Sequence, residues 1–126
     1  MANPLYGQNK SDDASASAFI ETEIVTISGA NVGYAVAPFN SKVLSVSYIL
    51  TTATTVADTV MTLADGDGNS IATLTIPVKA INKGGYFSGL DGDADAKVAA
   101  GEVVSLTSDG GSTAGAGKFI VQFQAA

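Results

Sequence analysis

The chain has 126 residues, a formal charge of −6 from six lysines and twelve acidic residues, and neither cysteine nor histidine. This length suits one domain with a single core, and the missing residue types exclude disulfides, thiolate metal sites, thiol nucleophiles and histidine general bases. The acidic charge disfavours nucleic acid and anionic membranes as partners, and no apolar stretch approaches the roughly 20 residues that span a bilayer. Because the sequence also opens without a basic and apolar leader, we expect a soluble protein that is not exported by a conventional signal.

The first seventeen residues, 1–17, are small and polar and offer little to bury, which is typical of an extended arm rather than a strand. Leu5 and Tyr6 form an isolated apolar pair within this arm. We expect the arm to become ordered on a neighbouring subunit or a larger assembly, with Leu5 and Tyr6 as the buried anchor. The alternative is a terminus without a role. The folded domain is then expected to occupy residues 18–126.

From Ala18 onward, short runs of β-branched residues are divided by turn residues, which is the pattern of a sandwich or barrel. No segment has a convincing helical period. Alternation within residues 42–50 predicts a half-buried strand that points Leu44, Val46, Tyr48 and Leu50 to one face and Ser45 and Ser47 to the other. Similar alternation predicts that Val104, Leu106, Phe119, Val121 and Phe123 point inward. We predict an all-β antiparallel sandwich of jelly-roll type with about eight strands, in residues 19–27, 33–37, 42–50, 59–64, 71–76, 85–88, around 104–106 and 119–123.

Two acidic runs invite comparison with calcium loops. Residues 91–102 carry carboxylates at positions one, three, five and twelve of the helix–loop–helix calcium motif, but Ala96 replaces the turn glycine and strands flank the run. The run at 65–69 is interpreted as a tight hairpin turn. We read both spacings mainly as turns and expect no cofactor. The candidates that stay open for a weak calcium site in a sandwich loop are Asp91, Asp93 and Asp95.

Residues with catalytic or ligand-stacking chemistry are few. Glu21 and Glu23 would lie roughly 7 Å apart on one strand face, within the window of inverting glycosidases, but a two-residue offset on any strand gives this distance. We read the pair as solvated edge charges and expect no catalytic residue and no enzyme activity. Aromatic residues alternate with small ones at Tyr34, Tyr48, Tyr86 and Phe87. This pattern is more typical of a core or an interface than of a sugar platform, and we favour the core.

Three segments, GYAVAPFNSKVLSVSYIL, TTVADTVMTLADGDGNSIATLTI and AAGEVVSLTSDGGSTAGAGKFIVQF, resemble a known family. The family comprises the small all-β virion proteins of tailed bacteriophages, described as capsid decoration, cement or head-fibre proteins. The likeness covers residues 33–124, and its most distinctive part joins the runs 100–104 and 108–112. These are scaffold positions that carry no chemistry to transfer.

This resemblance implies a jelly-roll subunit made in the host cytoplasm that sits on the exterior of a bacteriophage head. It further implies that the subunit binds the major capsid protein as a homotrimer and stabilises the shell. The alternative function is a host-recognition module of a head fibre or tail that holds a glycan in loops such as 65–69 or 109–117, with or without calcium. A polysaccharide-cleaving enzyme would need paired carboxylates in a cleft, for which this chain leaves little room.

Overall fold

Two antiparallel sheets form the structure, a computed structural model that describes residues 16–126. Two single-turn 3₁₀ helices, Leu90–Gly92 and Ala94–Ala96, are the helical elements of these residues, and neither has the length or apolar character needed to cross a bilayer. The predicted all-β sandwich is confirmed. Its strands are β1 Ser17–Glu21, β2 Val25–Thr26, β3 Val32–Val36, β4 Ser41–Thr55, β5 Thr59–Ala64, β6 Ser70–Ile76, β7 Gly84–Phe87, β8 Lys97–Val98, β9 Val103–Ser108 and β10 Ala114–Ala125.

The sheets differ in size, and we call them the long sheet and the short sheet. The long sheet has the order β1-β10-β4-β7, with β2 also paired to β10 and β8 to β4, and the short sheet has the order β3-β9-β5-β6. Successive main strands therefore cross between the sheets except at the β5–β6 hairpin. This alternation fits the double Greek key of the predicted jelly-roll type, while the sandwich itself is what the structure establishes.

The core lies between the two sheets and is built from the inward residues of β4, β5, β6, β9 and β10. The inward positions predicted in β9 and β10 are confirmed, because all five are 1% exposed or less. Tyr48 extends this core toward the sheet edge, where its ring lies 5.9 Å from that of Phe87 and 5.8 Å from that of Phe119. A Cβ on Gly85 would lie 2.5 Å from the Tyr48 ring, so the strand beside Tyr48 requires glycine there.

One inward residue of β4 differs from the prediction. Val43 pairs with Phe123 and Ser45 pairs with Gln122, so Leu44 is an extra residue between two consecutive rungs of the ladder. This β-bulge shifts the alternation by one, and Val43 rather than Leu44 lies fully buried in the core. Val46, Tyr48 and Leu50 point inward as predicted.

The chain enters the sandwich at the edge of the long sheet. Ser17 pairs with Gln124, and the carbonyl of Ala16 accepts a hydrogen bond of 2.8 Å from the amide of Ala125. The predicted anchor residues Leu5 and Tyr6 lie outside the described residues, so the arm and its boundary stay predictions.

Candidate functional site

Charged residues are distributed unevenly over the fold. Of the twelve acidic residues, Asp12 and Asp13 precede the described part, and the other ten lie in connections or, for Glu21, at the last residue of β1. The lysines that lie within strands are Lys42, Lys97 and Lys118, and all three belong to the long sheet. The four strands of the short sheet therefore contain no charged residue on either face.

The outer surface of the short sheet is consequently an uncharged face. Its central row runs across all four strands through the paired residues Val32, Thr107, Thr62 and Thr73. Tyr34 is 60% exposed and Val36 is 49% exposed at the β3 edge, so part of the face is apolar as well as uncharged. The residues that form it are Val32, Tyr34, Val36, Val60, Thr62, Ala64, Thr73, Thr75, Val103, Ser105 and Thr107.

The outer surface of the long sheet has a different character. Phe19 and Tyr86 are 66% and 64% exposed at its two edges. This surface also carries charged side chains. Lys118 forms an ion pair of 3.4 Å with Glu21. Lys42 lies 3.8 Å from Asp91, which belongs to the first 3₁₀ helix. The outer surface of the long sheet is thus a mixture of charged, polar and apolar groups.

An open hollow of about 570 Å³ lies where the β1–β2 connection passes β3. Buried Thr22 fixes this connection, because its amide donates to the Phe119 carbonyl and its hydroxyl accepts from the Phe119 amide. The anchoring breaks the predicted strand 19–27 after Glu21, so Glu21 and Glu23 do not share a continuous strand. The hollow is lined by Glu21, Thr22, Glu23, Ile24, Tyr34 and Lys118.

The four aromatic residues assigned to the core fall into two groups. Tyr48 is buried and Phe87 packs against it, as predicted. Tyr34 and Tyr86 are exposed, so the core assignment is wrong for both, and the interface alternative stays a prediction. Alternation identifies which residues share a face but not which face points inward, and in β3 and β7 the aromatic residue lies on the outer one.

Two of the three carboxylates predicted as weak calcium candidates, Asp91 and Asp93, have other partners here. Asp91 lies beside Lys42, and Asp93 accepts a hydrogen bond of 2.8 Å from the amide of Asp95. Among residues 16–126, the carboxylates close enough to share an ion are instead Asp65, Asp67 and Glu102, whose nearest oxygens lie within 4.8 Å of one another. Sequence reasoning treated the two acidic runs separately and missed that the fold brings them together.

Backbone amides donate hydrogen bonds to two of these three carboxylates. Both oxygens of Glu102 accept, one from the Gly66 amide at 2.9 Å and the other from the Ala99 amide at 3.0 Å. Asp65, which is 8% exposed, accepts from the amides of Asp67 and Asn69 at 3.0 and 2.8 Å. The Asp65 carboxylate therefore stabilises the shape of the β5–β6 turn, and the Glu102 carboxylate holds this turn against the loop before β9. We call these two carboxylates latches.

The environment of Asp65 changes the acidity of its carboxyl group. Burial raises the pKa, but hydrogen bonds from Asn69 and from the amides of Asp67 and Gly68 outweigh burial and hold the pKa of Asp65 below its ordinary value. The carboxylate form is thus the one that the folded turn favours.

Comparison with known proteins supports the fold. No protein-family model matches the chain, and no curated protein sequence matches it either. The architecture is similar to that of a chain in the "acidic stable capsid structure" of Helicobacter pylori bacteriophage KHP30, with a TM-score of 0.57, 17% identity, and coverage of 88% of this chain and 89% of that one. TmCBM61 in complex with β-1,4-galactotriose covers 98% and 99% of the two chains at 10% identity, but its TM-score of 0.37 is too low to carry an argument.

We predict that Asp65→Asn lowers the melting temperature at pH 7 more than Asp67→Asn does. Both variants remove one negative charge, but only the first changes a carboxylate that accepts hydrogen bonds from the turn. Asn at position 65 keeps one oxygen for the turn amides, but it loses the charge that strengthens those bonds and the second oxygen, which accepts from the Asn69 side chain. Because the folded-state pKa lies below the unfolded one, the contribution of Asp65 is complete above about pH 4 and is lost as the pH falls through the folded-state pKa. Thermal melts from pH 7 to pH 2 should therefore show wild type and Asp65→Asn converging in acid. Equal melting temperatures for the two variants at pH 7 would contradict the latch.

We also predict that thermal melts in calcium and in chelator coincide. A cation at this cluster would have to compete with the amide hydrogen bonds that the carboxylates of Asp65 and Glu102 already accept. A rise of several degrees at millimolar calcium would indicate about 1 kcal/mol or more of linked binding and would overturn this expectation.

Proposed function

We propose that this chain is a structural protein of a bacteriophage head that binds the outside of the shell and stabilises it, as a capsid decoration or cement protein. The observation that carries the proposal is the fold likeness to a chain of a bacteriophage capsid structure, which extends over nearly nine-tenths of both chains. The resemblance in residues 33–124 to small phage virion proteins supports the same assignment independently of the fold.

Stabilisation would follow from mass action. A protein that binds only the expanded shell lowers the free energy of that state by its own binding free energy. The proposed partner is the major capsid protein, and the proposed subunit is a homotrimer. Linking copies to one another raises the occupancy of individually weak contacts, because release then requires several contacts to break together.

We propose no catalytic role for the chain. The side chains in the hollow beside Tyr34 support this view, because the Glu21 carboxylate is paired with Lys118 and the hollow is open to solvent. Glu21 and Glu23 are also both exposed to solvent, so neither lies in the buried setting that suits a carboxyl group acting as a general acid.

Purified protein should bind saturably to expanded heads that lack it and should raise the temperature at which those heads release their DNA. Co-sedimentation measures the occupancy, and dye access to DNA measures the release temperature. Unexpanded heads provide the control, because binding restricted to the expanded shell is what stabilises it. Saturable binding to isolated tails with none to heads would contradict the proposal.

The arm prediction can be tested by removing residues 1–15. The deletion should stop there, because Ala16 and Ser17 pair with the end of β10. We expect the truncated protein to melt cooperatively and to occupy fewer sites on heads than wild type. A variant with Leu5 and Tyr6 both changed to serine should reproduce the loss if these residues are the anchor. Unchanged occupancy and unchanged oligomeric state in both variants would show that the arm is not an anchor.

A host-recognition module that binds a glycan is the second candidate, and the exposed Tyr34 ring in the hollow is the observation that favours it. Aromatic faces beside polar side chains are suited to stacking on sugars. Titration of host-envelope glycans separates the two functions. The second candidate requires saturable binding that is lost in Tyr34→Ala and kept in Tyr86→Ala, a control with an equally exposed tyrosine on the other sheet. The shell-binding proposal predicts no saturable glycan binding by wild type.

A further inference from the structure

We infer that the uncharged face of the short sheet is the surface through which one copy of this chain contacts another. The inference rests on the self-association contained in the proposed function and names the residues that carry it. It follows from the charge, chemistry and size of the face.

The charge pattern favours a second copy over an unrelated partner. An interface with a different protein can use charges of either sign, because the partner can supply the complementary charge. Around a rotation axis between identical copies, a residue near the axis meets its own counterpart, so a charge of either sign meets a like charge. The short sheet contains neither sign in any of its four strands, although the chain as a whole carries −6.

Hydroxyl groups make the face complementary to itself. Thr107, Thr62 and Thr73 lie side by side on three neighbouring strands in its central row. A hydroxyl can donate one hydrogen bond and accept others, so identical threonines can pair with each other across an axis. Val36 and Val103, which are 49% and 40% exposed and pair across β3 and β9, add apolar area at one end of the face, beyond the Tyr34–Ser105 pair.

The size of the face sets the strength of the contact. Four strands about 4.8 Å apart and about five residues long at roughly 3.3 Å per residue give a patch of about 300 Å² in projection. Stable complexes bury about 800 Å² per partner, so this contact is weak for two free copies. It strengthens when other contacts hold the copies close together, as attachment to a common shell would do.

A charge placed in the central row tests the inference. Thr62→Lys changes the net charge from −6 to −5, so weaker association cannot be attributed to greater repulsion between acidic chains. The matched control is Ser47→Lys, which makes the same charge change on the outer surface of the long sheet, opposite Ile120 and Tyr86. Thr73→Lys, at an exposed position of the edge strand β6, repeats the test if Thr62→Lys fails to fold.

Sedimentation of the intact protein from about 1 μM to about 1 mM gives the association constant. We expect wild type and Ser47→Lys to associate with similar constants, and the face variant that melts cooperatively to weaken association by at least about tenfold, since burying an unpaired ammonium group is costly. Association that is unchanged in that face variant, or a wild type that is monomeric throughout, would overturn the inference.

Head binding is measured on the same proteins, so that the shell-binding function and the contact between copies can each be contradicted without the other. Wild type that binds heads while Thr62→Lys still associates would leave the shell function standing and assign the contact to another surface. If wild type does not bind heads while Thr62→Lys loses self-association, the contact between copies would stand and the shell function would be contradicted.

Discussion

The pairing of β4 with β10 is the constraint on which the rest of the structure depends. These two longest strands are paired from Ser41 and Ala125 at one end to Thr55 and Ala114 at the other. Every other strand of the long sheet attaches to one of them, and the inward side of β10 supplies the two largest fully buried side chains. The pairing joins segments far apart in the sequence, and such long-range contacts are typical of slowly folding all-β proteins. The short sheet packs on the inward surface of this pair.

The acidic residues take a different part in the fold from the one their spacing suggests. Several carboxylates accept backbone amide hydrogen bonds within turns, including Asp65, Asp93, Glu102 and Asp109, the last from the amides of Val60 and Gly111. With the acidic residues in the connections, Glu21 is the one acidic residue in the strands of the described part, and the four strands of the short sheet contain no charged residue. The same composition that makes the protein acidic therefore also produces a surface on which two acidic copies can meet. The placement of acidic residues in turns thus leaves the uncharged face that the proposed contact between copies on a shell requires.

The local part of this structure could be predicted from the sequence, and the long-range part could not. Alternation in β9 and β10 identified the inward residues because each strand follows a period of two without interruption. The bulge at Leu44 was missed because it depends on how β4 meets β10, and the break after Glu21 was missed because it depends on a hydrogen bond to Phe119. The absence of charge from VGYAV, TVMTLA, SIATLTI and VVSLTS is visible in the sequence. The sequence does not show that these uncharged segments form one surface, because only the fold places the four segments side by side in one sheet.

The proximity of Asp65 and Glu102 could not be predicted from the sequence either, because the two residues are 37 positions apart. The fold brings both carboxylates to the amides of one turn. The proposed role depends on where the chain lies in the particle and which surface it presents to its neighbours. A cryo-electron microscopy map of the intact particle at side-chain resolution tests both together. We expect density for this sandwich on the outside of the head, with the uncharged face of one copy against another copy. Density on the tail, or on the head with the uncharged face open to solvent, would contradict it.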